Sequence, residues 1–274
     1  MTTLVFGSSG YFGRLLSDVL PDTVGSDTDI ADAVAVAEDL DRHRPDVVVN
    51  CAGKTGRPNV DWCESHREET LHSNVTGPLV LLEACLARGC YLVHLSSGCL
   101  YQGDNGGRGY QETDPPNFTG SFYSRTKAYA DQILAEFPVL ILRPRMPFDD
   151  SLHNRSLFGK LVHYQRVLDA ENSFTYVPDF LLAAQELIAG RQVGVFHVVN
   201  PGTSSPYRMM LRYREFVDPD HEFECLSADE LDCLTTAQRS SCVLSTDKLV
   251  QHGIRLGPLD DAIDQALRAI AKSR

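Results

Sequence analysis

The sequence predicts an α/β protein built on a doubly wound parallel sheet, with a smaller C-terminal lobe. Three observations predict it. Short continuous apolar runs recur at 2–6, 46–51, 90–96, 139–144 and 194–199. Runs of that length suit strands buried on both faces. Helix-like stretches alternate with them, the rhythm that builds parallel βαβ units. A glycine-rich turn joins the first run to the first helix-like stretch.

Taken in order, 2–6 (TTLVF) reads as the first strand. The stretch 11–20 reads as a helix with Phe12, Leu15, Leu16, Val19 and Leu20 on one side. A second strand ends near 24–27. DVVVNC (46–51), CYLVHLS (90–96) and VLILRP (139–144) supply further strands, separated by helices over about 66–88 and 123–136. A helix over 178–190 precedes GVFHVV (194–199). The stretches 101–121 and 145–175 break the rhythm with Gly, Pro, Asn and Asp, as long functional loops do. Beyond Asn200-Pro201-Gly202 the pattern turns polar. It closes with a helix started by Pro258, whose buried stripe is Leu259, Ile263, Leu267 and Ile270. The expected division is a dinucleotide-binding domain, 1–148 with 176–200 returning to it, and a substrate lobe, 149–175 with 201–274.

Composition narrows the function. The 274 residues are 43% hydrophobic and 23% charged, enough apolar surface for a sizeable core. A net charge of −12 argues against a nucleic-acid partner, so any anionic ligand must be held by local Arg, Lys and helix N-termini. The eight cysteines form no C-x-x-C pair and the nine histidines show no metal spacing, so no metal is expected. No signal peptide or membrane span is read, which points to a cytoplasmic protein with reduced thiols and no membrane partner. The oligomeric state stays open, a homodimer included.

Two motifs carry chemistry. Gly7-Ser8-Ser9-Gly10-Tyr11-Phe12-Gly13 lies between strand and helix, where glycines permit a tight turn and close approach of a pyrophosphate to the backbone. Gly7, Ser9, Gly10, Tyr11, Phe12 and Gly13 are therefore assigned to an NAD(P) cofactor, together with Ala52, Gly53 and Thr55 after the strand 46–51. Asp27 would favour the free ribose of NADH, whereas Ser26 or Arg14 could hold the 2′-phosphate of NADPH. The second motif is Tyr123-Ser124-Arg125-Thr126-Lys127. On a helix, i and i+4 share a face, so Lys127 can favour the phenolate of Tyr123 and also reach the nicotinamide ribose. Ser97, after the strand 90–96, can polarise the same substrate oxygen.

With these residues in view, the chain resembles the dTDP-4-dehydrorhamnose reductase group of extended short-chain dehydrogenases/reductases. More closely, it is similar to the plant-type bifunctional nucleotide-4-keto-6-deoxyglucose 3,5-epimerase/4-reductases of rhamnose synthesis. The resemblance rests on NCAGKTGRPNVDWCESHREETLHSNVTG (50–77), SSGCLYQ (96–102), ETDPPNFTGSFYSRTKA (112–128), RPRMP (143–147) and NPG (200–202). It spans most of the chain and weakens after about 203. Two departures are Ser97 in place of the group's Thr and a shorter loop at 102–111.

The resemblance implies a Rossmann fold, a preference for NADPH, and a nucleoside-diphosphate-4-keto-6-deoxy-hexose as substrate. The product would be dTDP- or UDP-L-rhamnose or a related 6-deoxy sugar. It further implies that Cys99 and Lys160 invert C3 and C5. A C4 ketone acidifies those positions, and inversion needs a base on one face and an acid on the other. Asn74 resembles the helix Asn that supports the proton relay. Arg57, Asn117, Phe118, Ser121, Arg145 and Arg239 are assigned to the substrate, the arginines as diphosphate ligands. The alternatives are a plain 4-ketoreductase, an enzyme of another nucleotide sugar, and an NAD(P)-binding regulatory subunit.

Overall fold

The structure, a computed structural model, describes residues 1–273. It divides into two compact units. The first comprises Met1–Leu100, Pro116–Arg143 and Ala184–Phe196. The second comprises Tyr101–Pro115, Pro144–Ala183 and His197–Arg274.

In the first unit the chain runs through β1 (Thr3–Phe6), α1 (Tyr11–Val19), β2 (Thr23–Ser26), α2 (Ala33–His43) and β3 (Val47–Asn50). It continues through α3 (Trp62–Ser65), α4 (Arg67–Leu71), a π-helical turn (His72–Thr76), α5 (Gly77–Arg88), β4 (Tyr91–Leu95), α6 (Phe122–Leu134) and β5 (Leu140–Arg143). The sheet order is β2-β1-β3-β4-β5, extended by the strand Gly194–His197. Neighbours from β2 to β5 run parallel. The apolar runs form these strands because both sheet faces are covered. Leu4, Phe6, Val48, Leu92 and Ile141 are buried in one cluster with Val36, Leu40, Leu81 and Leu134 from the helices. Each such Leu or Phe contributes about 1.5–3 kcal/mol by leaving water.

Strand order reverses beside β1, so the crevice outside the carboxyl ends of β1 and β3 is the place where such sheets bind ligands. The glycine turn and the Cys51-Ala52-Gly53 segment both emerge there. Their backbones are tied across the sheet, Gly7 N–H to the Ser26 carbonyl and Cys51 N–H to the Phe6 carbonyl.

The helix expected over 66–88 is three pieces. The π-helical turn inserts the extra residue that such a turn accommodates. Pro78 then opens α5, where its missing N–H costs nothing.

The second unit has its own core of Phe148, Phe158, Phe174, Tyr213, Met209, Ile263 and Leu267. Pro147–Phe148 pairs with Thr175–Tyr176, and Arg166–Leu168 with Glu224–Leu226, both in parallel. The stretch 145–175 is thus more ordered than expected. The boundary also differs from the expected one. The segment 101–115 groups with the second unit because Gly103 bridges to Cys242 and Tyr110 to Leu244, which satisfies its backbone there. Asp149 and Asp150, within the stretch 145–175 expected as a loop, organise local structure. Asp149 accepts from Ser151 N–H and Oγ, and Asp150 accepts from the Tyr176 hydroxyl at 2.6 Å. Among the described residues, no helix is long and apolar enough to cross a membrane.

Candidate active site

The glycine turn fits a dinucleotide on steric grounds. Gly7 has φ +72°, and a Cβ there would lie 2.7 Å from the Ala52 nitrogen. A Cβ on Gly13 would lie 2.1 Å from the Gly7 carbonyl oxygen, so Gly13 lets α1 pack onto the turn. Gly10 is the N-cap and offers no side-chain acceptor, leaving the first-turn N–H groups of α1 available to an anion. Ser9 is exposed, and Tyr11 packs edge-to-face on Phe12 at 5.3 Å. Ser26 closes β2. Its buried hydroxyl donates to Asp39 at 2.6 Å. Asp27 and Arg14 are exposed, with Arg14 Nε donating to the Ser9 carbonyl.

The residues assigned to proton transfer converge at the carboxyl ends of β3 and β4. Ser121 caps α6 by accepting from Ser124 N–H, and Glu64 accepts from Phe122 N–H. The helix thus starts in register with Tyr123 and Lys127 on its buried face. Ser97 hydrogen-bonds the Tyr123 side chain, and its Oγ accepts from Cys99 N–H at 3.2 Å. Cys99 bears electrostatically on Tyr123. Lys127 Nζ donates to the Leu95 carbonyl at 3.2 Å, and a Cβ on Gly53 would lie 3.4 Å from it. Lys127 therefore faces both the phenol's helix row and the glycine segment assigned to the cofactor.

The electrostatics differ from the sequence expectation in one respect. Burial, reinforced by Cys99, pushes the Tyr123 phenol above its ordinary value, and the Ser97 hydrogen bond only partly offsets this. The phenol thus stays protonated, as an acid that donates to an alkoxide must. Burial lowers the Lys127 pKa, opposed by the Asp131 carboxylate and then by Cys51. Cys51 itself is pushed up to about 12 by burial despite Lys127, so its thiol is inert.

Asn74 is buried, and its Oδ1 borders Gly53 alongside Lys127 Nζ. Its amide accepts from Lys54 N–H at 2.8 Å and donates to the Lys54 carbonyl at 2.9 Å and to Thr126 Oγ1 at 3.3 Å. It clamps the segment after β3 onto α6, and the π-helical turn aims it there. Spacing alone could not reveal this, because a regular helix over 66–88 would point residue 74 elsewhere.

The substrate assignments scatter. Thr55 and Arg57 lie on the exposed loop after Gly53. Asn117 and Phe118 both donate backbone N–H to the Leu100 carbonyl, with Asn117 exposed and Phe118 buried. Ser121, expected at the sugar, has its hydroxyl committed to the α6 cap and to Ser124 Oγ. In the second unit, Arg145 is buried and donates to Asn172 Oδ1 at 2.6 Å and to the Ser240 carbonyl. These two contacts tie its Nη2 into the second unit. Arg239 is half-exposed. Lys160 lies in the last turn of the short helix Leu157–Leu161, where the residue as a whole is exposed but its amine is partly shielded from water. Desolvation and then Arg155 lower its pKa, in a direction that favours exchange of a proton.

Comparison with known proteins places the chain among relatives. The family model described as the RmlD substrate binding domain matches residues 1–271. A bifunctional dTDP-4-dehydrorhamnose 3,5-epimerase/dTDP-4-dehydrorhamnose reductase of Arabidopsis thaliana is 36% identical over 258 residues, covering 90% of this chain and 85% of that protein. Of a trifunctional UDP-glucose 4,6-dehydratase/epimerase/reductase from the same plant, 34% identical, the chain spans only 38%. Among solved structures, the L780 UDP-rhamnose synthase of Acanthamoeba polyphaga mimivirus superposes with a TM-score of 0.93 at 28% identity, over 98% of this chain and 99% of that one. A dTDP-4-dehydrorhamnose reductase from Bacillus anthracis in complex with NADP, 20% identical, shares the fold with a TM-score of 0.84, over 100% of this chain and 99% of that one.

Proposed function

The chain belongs to the RmlD substrate-binding-domain family, and on that premise we propose that it is an NADPH-dependent 3,5-epimerase/4-reductase of a nucleoside-diphosphate-4-keto-6-deoxy-hexose. The observation that carries this reading is the cluster of Ser97, Cys99, Tyr123 and Lys127 at the carboxyl ends of β3 and β4, beside a dinucleotide-shaped turn. The likeness to a bifunctional relative over most of both chains supports it.

Bound nicotinamide supplies the hydride that reduces C4. The chain's residues manage protons. Cys99 and Lys160 take and return the protons at C3 and C5 through an enolate whose oxygen Ser97 and Tyr123 stabilise. At the reduction step, Tyr123 donates its phenolic proton to the C4 oxygen as the hydride arrives, and the buried ammonium of Lys127 balances the tyrosinate left behind. Burial of Tyr123 serves the reductive direction, since the proton must be on the phenol beforehand. NADPH is favoured over NADH by the cofactor named for the solved reductase and by exposed Arg14 near the turn.

The test is incubation with dTDP- and UDP-4-keto-6-deoxyglucose and NADPH in deuterated water, followed by NMR of the product. A 6-deoxy-L-hexose carrying deuterium at C3 and C5 is expected. Reduction without deuterium at those carbons would leave a plain ketoreductase. No turnover with either nucleotide would sink the substrate class.

A further inference from the structure

The buried face of α6 carries an acid that the proton-transfer steps do not use. Tyr123, Lys127 and Asp131 stand four residues apart, which aligns them in one row along the helix. Asp131 is fully buried, and its Oδ2 accepts from Arg143 Nε of β5 at 2.7 Å. Its other oxygen, Oδ1, has no hydrogen-bond partner among the described residues. A half-satisfied buried carboxylate is costly unless another charge answers it. The next charge along the row is the ammonium of Lys127, itself buried and given one backbone carbonyl.

The groups around Lys127 leave few candidates for that answer. Cys51, at the end of β3, stays a neutral thiol because burial raises its pKa. His94 on β4 stays neutral because burial, and then Lys127, lower its pKa well below the ordinary value. Tyr123 stays protonated before reaction. Arg143 is matched to Asp131. Asp131 is the anion that faces this layer from the helix itself.

We propose that Asp131, anchored by Arg143, is a positioning residue that holds the Lys127 ammonium charged and in line with Tyr123. This rests on reading Tyr123 and Lys127 as the proton-transfer pair. The Asp131–Arg143 pair is neutral as a unit, so Lys127 remains the net charge that balances a tyrosinate. The effect of Asp131 on both neighbours has one sign: it raises the pKa of Lys127 and that of Tyr123. Removing its charge should make both groups lose protons more easily, and reduction, which needs both protonated, should fail at lower pH.

Asp131→Asn keeps the shape but removes the carboxylate that faces the buried Arg143 cation. The double change Asp131→Asn with Arg143→Gln removes both charges and preserves a hydrogen-bonded pair. Two readouts apply: the alkaline limb of the reduction rate, and NMR titration of lysine labelled at Cε, which five lysines in the chain make tractable. Both variants are expected to lower the Lys127 titration and move the limb down by about one pH unit, and Asp131→Glu to keep the wild-type profile. An unshifted Lys127 titration in the double variant overturns the proposal, however stable that variant is. A shifted titration with an unmoved limb instead removes Lys127 from the reaction, which overturns the proton-transfer reading while leaving the Asp131 contact standing.

Discussion

The two units place their buried polar side chains by different means. In the first, Tyr123 and Lys127 sit on a helix of thirteen residues laid on a parallel sheet. Their relation follows from helical periodicity, and one cap at Ser121 sets the register. In the second, the short strands have two or three residues each. There Arg145, Asn172 and Ser240, far apart in sequence, meet through a buried polar hub. A long regular element transmits a local pattern into a site. Short elements need specific long-range hydrogen bonds, and those leave little trace in a pattern.

The comparison can be broken most sharply at Tyr123. Tyr123→Phe should lower the reduction rate about 10²–10⁴-fold, followed by NADPH absorbance, while deuterium exchange at C3 and C5 falls by much less, because Ser97 still holds the enolate oxygen. Equal loss of exchange would mean that one proton donor serves both reactions. Next come Cys99→Ala and Lys160→Met. Each should cut C3/C5 exchange about 10²-fold and leave reduction of an already inverted 4-keto sugar in place. Loss of both activities in either variant would erase the proposed division of labour.

Arg145→Ala tests the hub itself. It leaves Asn172 and the Ser240 carbonyl short of a donor, at a cost of about 1–3 kcal/mol. Hydrogen exchange should then quicken at 101–115 and 240–245, while amides of β1 and β3 stay protected. Uniform quickening would mean that the two units share one stability.

The smallest effect is expected from His94. Burial holds its imidazole neutral, well below the ordinary 6.5. The unfolded chain therefore binds the extra proton first, and stability declines as the pH falls from about 6.5 toward the depressed folded value. His94→Asn should flatten that decline by roughly 1.4 kcal/mol per pH unit, measured by urea unfolding at two pH values. An unchanged slope would assign the acid sensitivity to other groups.

Much of the site was legible in the sequence because its residues follow strands or share a helix face. Gly7, Gly13, Ser97, Tyr123 and Lys127 all stand where spacing puts them. Asn74 was visible as a residue but not as a clamp, because the π-helical turn redirects it. Asp131 had a signal in its i+8 spacing from Tyr123, yet an acid on a helix normally faces water. Only Arg143, arriving from β5, makes its burial tolerable. The contacts of Ser121 at the start of α6 and of Arg145 with Asn172 and Ser240 leave no trace in the spacing of polar residues.

By itself, then, the sequence determined the parallel sheet, the dinucleotide turn and the Tyr123–Lys127 row. Each depends on periodicity or on the absence of a Cβ, and both are written residue by residue. Tertiary structure alone decided that 101–115 groups with the second unit, that Arg145 is buried, and that Asp131 and Arg143 pair beneath the lysine. Those outcomes depend on which distant backbone or charge satisfies a buried polar group, and no local pattern specifies the partner.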